Sequence, residues 1–174
     1  TIKMLPSLRL SDIASSHYLH LHSVLTIFDD ILQCSILQPQ NYWRGSGDSS
    51  GMVPWRSGCL VPRYTESFCA TQTVQLVKPK GIDNLGKHVI DNNNRAPLES
   101  EILLRKVGGS SLTWSHVLRV GEGGATLAVG QRTFIRCDSR THRPLKFSDE
   151  ETEVLNDIMN GRSSFGCDEV DELV

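Results

Sequence analysis

The stretch His17 to Gln33, HYLHLHSVLTIFDDILQ, limits what this chain can become more than any other. Leu21, Val24, Leu25, Phe28, Ile31 and Leu32 recur at the three- and four-residue spacing of one helical face, and Tyr18, Leu19 and Ile27 widen the apolar surface beyond a stripe. The spacing predicts one long helix over 17–33. Ser15 or Ser16 offers its N-cap, and it should end before Pro39, because a residue preceding proline is pushed out of the α region. A helix apolar on so many sides needs a cover, and the adjacent carboxylates Asp29 and Asp30 are its odd residues.

The rest of the chain supplies strands. Ser67 to Val77, Ala96 to Val107, Ser111 to Val120 and Ala125 to Cys137 are rich in β-favouring residues. In the third of these, Leu112, Trp114, His116, Leu118 and Val120 alternate with polar residues, as in a strand with one buried face. Gly108-Gly109 and the glycines of 121–124 are separators short enough for antiparallel hairpins. Leu5 to Ser11 reads as a short strand or lead-in turn, Gln40 to Gly58 as a long loop tacked down by Trp43 and Trp55, and Lys80 to Arg95 as a polar, Asn-rich connection. Ser148 with Glu151 forms a capping box that opens a short helix closed by Gly161. The expected organisation is therefore a main domain over 1–147, a C-terminal helix over 148–161 and a disordered acidic tail over 162–174. The class is α+β, a curved antiparallel sheet of five or six strands wrapped round one central helix, since nothing else in the chain is large enough to cover that helix.

Composition narrows the function. With a formal charge of −2 and no clustered basic patch, nucleic acid is a poor partner, and no apolar run approaches the roughly 20 residues of a membrane-spanning helix. The five cysteines are scattered and odd in number, which suits free thiols in a reducing compartment: the cytoplasm or an organellar matrix such as the mitochondrial or peroxisomal one. An upstream segment removed before Thr1 accords with the missing initiator Met. His17, His20 and His22 do not converge as metal ligands across a helix start, so no metal is expected. GDSSG at 47–51 is only superficially like a serine-protease nucleophile segment, because the second glycine, the disulfide framework and a histidine segment are missing.

Three segments carry a resemblance to a known family. The run His20-Leu21-His22-Ser23-Val24-Leu25-Thr26-Ile27-Phe28-Asp29 resembles the His-Gly-Gly segment and following helix of phenylacetate-pathway thioesterases, with the acid nine residues after the histidine. SEILLRKVGGSSLTWSHVLRVGEGGATLAVGQRTFIRCD is similar to that family's last three strands, and Thr141-His142-Arg143-Pro144-Leu145 resembles the close of the hydroxybenzoyl-CoA branch. The chain thus resembles the hotdog-fold acyl-CoA thioesterases over roughly Leu8 to Phe147, with Leu21 and His22 where the motif has glycines. The resemblance implies a homodimer or dimer of dimers with sites at subunit interfaces, His20 orienting the helix start, and coenzyme A present only as part of the substrate.

The chemistry follows from the residues. Thioester hydrolysis needs a group that activates water or attacks the carbonyl, and donors aimed at the developing oxyanion. Asp29 is the candidate base or nucleophile, Asp30 the less favoured neighbour, and the backbone N–H groups around His20, Leu21 and His22 are the candidate donors. An acid on so apolar a helix is expected to lose solvation, which suits a general base. The nine residues from His20 to Asp29 span roughly two and a half turns and about 13 Å, so one chain cannot bring both to one carbonyl and a second subunit is required. Of the basic residues Lys78, Arg105, Lys106, Arg119, Arg132, Arg136, Arg143 and Lys146, Arg105 and Lys106, with Gly109, are the candidate contacts for the phosphates of coenzyme A. Two alternatives stand beside hydrolysis: a non-catalytic acyl- or partner-binding protein, and an enoyl-CoA hydratase using Asp12 and His17.

Overall fold

The computed structural model of the chain describes residues 2–4, 7–32, 52–54, 60–62, 65–121 and 124–160, with side chains at 7–29, 65–121 and 124–160. Its strands are β1 (Ile2–Met4), β2 (Ser7–Leu8), β3 (Met52–Pro54), β4 (Leu60–Pro62), β5 (Thr65–Leu76), β6 (Ala96–Val107), β7 (Ser111–Val120) and β8 (Thr126–Asp138), and its helices are α1 (Leu21–Leu32), α2 (Leu85–Asp91) and α3 (Asp149–Met159). One antiparallel sheet runs in the order β1-β6-β7-β8-β5, with β2 on the far part of β6, and β3 and β4 pair separately.

The inner face of this sheet holds two apolar clusters. Val24 and Phe28 of α1 pack with Leu98, Leu118, Leu127 and Ala128, while Leu155 and Ile158 of α3 pack with Ile102, Leu104, Trp114 and Phe134. Both clusters use the same row of β7, whose side chains alternate strictly between buried and half-buried. This is the α+β architecture expected, with one long helix held by a curled antiparallel sheet and a short helix after it.

Three segments differ from the sequence expectation. The helix begins at Leu21, not His17, because an isolated bridge joins Ile13 to Leu19 and the Ala14 N–H donates to the Tyr18 carbonyl at 2.9 Å, keeping 17–19 out of the helix. Lys80 to Arg95 is more than a connection: Asn84 accepts from the Lys87 N–H at 2.9 Å and caps α2, which buries Leu85 and Val89, four residues apart. Asn93 and Asn94 then turn the chain with φ of 60° and 63°, a left-handed conformation that asparagine tolerates. Within 40–58, Met52–Pro54 forms a strand, so the expected loop is interrupted there. The remainder of that loop, Cys34, Cys59 and the 162–174 tail lie outside the described residues.

α3 is tied to the sheet by a buried ion pair. Arg136 on β8 meets Glu151, donating from Nη2 to Oε2 at 3.1 Å, and its guanidinium lies 4.2 Å from the centre of the Phe147 ring. Glu151 also completes the expected capping box by accepting from the Ser148 N–H at 2.7 Å. No helix among the described residues is long and apolar enough to cross a membrane.

Candidate functional site

Asp29 follows Phe28, the side chain that anchors α1 in the sheet. Phe28 is fully buried, and its ring lies 4.5 Å from the ring of His116 on β7. One residue further round the helix, Asp29 comes to the margin of this contact, with a side chain 42% exposed. Its Oδ1 lies 2.5 Å from Nη1 of Arg132, whose side chain is 4% exposed. The carboxylate is therefore not sunk in apolar surroundings as its helix suggests; it stands half in solvent, facing a guanidinium that rises from the sheet.

The local sequence of β8 explains this meeting. Ala128, Gly130, Arg132 and Phe134 pair across from Leu118, His116, Trp114 and Leu112, which places them on the inner face. At position 130 the missing side chain gives Phe28 its room, because a Cβ there would stand 3.3 Å from Phe28 Cε2. Arg132 is next in the row, with its guanidinium 4.9 Å from the Phe134 ring centre. Sequence reading placed Arg132 among basic residues available to phosphates, whereas the fold buries it. Arg136 is likewise buried on Glu151, and Arg119 pairs with Glu101 at 2.8 Å.

His116 shares the seam between the two apolar clusters. Burial first, and the nearby Arg132 charge second, lower its pKa to about 3, so the ring is neutral near pH 7. Neither of its nitrogens has a hydrogen-bond partner, and neither Nε nor Nη1 of Arg132 is aligned for one. The Arg132 charge is balanced by Asp29, the one carboxylate paired with it among the described residues.

The start of α1 forms the other half of the expected site. The His20 N–H donates to the Asp12 carbonyl at 2.7 Å, and the first helical bond runs from the Val24 N–H to the His20 carbonyl at 3.2 Å. The N–H groups of Leu21, His22 and Ser23 thus face outward at the positive end of the helix. His20 and His22 are exposed, as is Leu21 at 49%. At about 1.5 Å per residue these donors stand about 9–12 Å from Asp29 along the axis, so one chain does not bring them together.

The remaining candidates are dispersed. Arg105 is the unpaired residue of a bulge between Leu104 and Lys106, and its Nε donates to Ser115 Oγ at 2.9 Å. Ser115 alternates with Trp114 and His116, so Arg105 lies on the outer face, opposite Asp29. Lys106 beside it is exposed, and a Cβ at Gly109 would meet nothing within 4 Å. Asp12 spends its carboxylate on the Arg9 N–H at 2.9 Å, and neither a hydrogen bond nor an ion pair joins it to His17. The Asp30 side chain lies outside the described residues. No three His, Cys, Asp or Glu converge as a metal site among the described residues. Sequence reasoning missed Arg132 as the partner of Asp29, although its even spacing from Gly130 and Phe134 in an alternating strand carries the signal.

No family model matches the chain, and no curated protein does. Solved structures do. YbaW, a probable thioesterase of Escherichia coli, is 13% identical with a TM-score of 0.59, covering 91% of this chain and 99% of its own. A hypothetical protein of Staphylococcus aureus, solved in complex with CoA, is 11% identical with a TM-score of 0.59, covering 93% of this chain and 85% of its own. Slr0204 of Synechocystis, a 1,4-dihydroxy-2-naphthoyl-CoA thioesterase, is 10% identical with a TM-score of 0.55, covering 90% of this chain and 96% of its own. With its long helix held by a β1-β6-β7-β8-β5 sheet, the chain has the hotdog fold that it shares with these structures.

Proposed function

We propose that the chain hydrolyses an acyl-CoA thioester at the interface of a homodimer, itself able to pair into a dimer of dimers. The observation that carries this reading is the half-exposed Asp29 carboxylate held 2.5 Å from Arg132 in a fold shared with thioesterases. Asp29 of one subunit takes a proton from water as its oxygen attacks the thioester carbonyl, or attacks the carbonyl itself to form a mixed anhydride that water then hydrolyses. The N–H groups at the α1 start of the other subunit hold the oxyanion, and the carbon–sulfur bond breaks to release the carrier as a free thiol. The phosphates of coenzyme A are assigned to Arg105 and Lys106, side by side at the bulge of β6. Subunit pairing is supported by β5, a 12-residue strand that ends the sheet, is exposed over most of its length and, among the described residues, pairs only with β8. Tyr18 and Leu21, 40% and 49% exposed at the helix start, are further surface for a second copy.

A panel of acyl-CoA substrates with a thiol-release readout tests the proposal on wild type, Asp29→Asn and Asp29→Glu. Removing the charge of Asp29 also leaves the buried Arg132 uncompensated, so folding is followed by circular dichroism in parallel. Folded D29N is expected to lose turnover, and full activity in it removes Asp29 from the mechanism. Non-catalytic acyl binding is the second reading, favoured by Leu21 and His22 standing at the helix start where the thioesterase motif has glycines. It predicts an acyl ligand retained through purification, with no turnover.

A further inference from the structure

Arg132 is buried where it cannot reach a substrate, yet it touches the one acid that can. We propose that Arg132 is a positioning residue, a guanidinium anchored inside the sheet that fixes the Asp29 carboxylate at the open flank of α1. The inference rests on the assignment of Asp29 to thioester hydrolysis. Exposure is the first argument: with side chains 4% and 42% exposed, the cation lies buried and the acid it pairs with stands at the surface. Anchorage is the second. β8 is paired on both sides, with Arg132 opposite Trp114 of β7 and Gln72 of β5, and the Phe134 ring lies 4.9 Å from the guanidinium. A group fixed this way loses little freedom when it holds a partner.

A structural charge balance and a positioning role differ in what their loss does. Arg132→Met removes the buried charge, keeps the length of the stem beside Phe134 and leaves Asp29 charged but unaimed. We expect R132M to fold, to keep KM for an acyl-CoA within about twofold and to lose about 10- to 100-fold in kcat, the scale of a misplaced catalytic group. Arg132→Lys keeps the charge on a shorter, more flexible stem without the planar guanidinium, and is expected to fold and to recover only part of kcat. Wild-type kcat in R132M or in R132K overturns the positioning role, as does a loss confined to KM or to stability. If folded D29N is inactive in the same assay, the hydrolytic reading stands whatever Arg132 does. If D29N is fully active, that reading fails and this inference fails with it.

Discussion

The ring of Phe28 on α1 rests against the bare backbone of Gly130 on β8. A Cβ at position 130 would lie 3.3 Å from Phe28 Cε2 and 3.0 Å from the Thr73 carbonyl oxygen, tighter than ordinary contact on both sides. Gly130→Ala is therefore expected to push α1 outward and to destabilise the protein by about 1–3 kcal/mol, the usual effect of overpacking. The displaced helix carries Asp29 away from Arg132, so turnover should fall by more than the loss of folded protein explains. Denaturant midpoints and acyl-CoA hydrolysis, measured on the same preparation, check both parts.

Arg136 and Glu151 hold α3 by a pair withdrawn from solvent. Cutting it from one side leaves a charge buried without its partner. Glu151→Ala should cost about 3–5 kcal/mol, while the double variant R136M/E151L should recover most of that loss by replacing both charges with apolar bulk. Urea titrations of the wild type, the single and the double variant decide it. A double variant no more stable than E151A shows that the capping box, not the ion pair, is what matters.

His116 makes the fold sensitive to acid. Its pKa falls from 6.5 to about 3 on folding, so the unfolded chain binds the proton more readily between those values. Stability from this group is complete above pH 6.5 and is lost as pH falls toward 3, by about 1.4 kcal/mol per unit. Between pH 7 and pH 5 the loss is about 2 kcal/mol. His116→Leu has no such proton to take up, and its stability should fall less steeply over that range. Unfolding free energies of the two proteins at several pH values between 4 and 8 measure the difference, and parallel curves rule out His116 as the source.

The sequence disclosed the sheet better than the site. β6 and β7 fall on their expected limits, Ala96–Val107 and Ser111–Val120, because strict alternation and short glycine separators are local signals. The start of α1 was misplaced because Tyr18 and Leu19 continue the apolar surface, while the bridge that keeps them out of the helix is made with Ile13. α2 was hidden by its brevity, by Gly86 and by the asparagines round it. Asp29 stood out as a charge on a greasy helix. Its neighbour across the core could not be read from the same stretch, since Arg132 is more than a hundred residues away and only strand register brings it beneath the helix.

Ile27 packs against both apolar clusters, the one shared with α1 and the one closed by α3. A rod clamped between two jaws has no slack direction, because any slide toward one opens a gap behind it at the other. The address of the acid two residues further on is thus set in part by Leu155 and Ile158 of the C-terminal helix, side chains that take no part in any reaction.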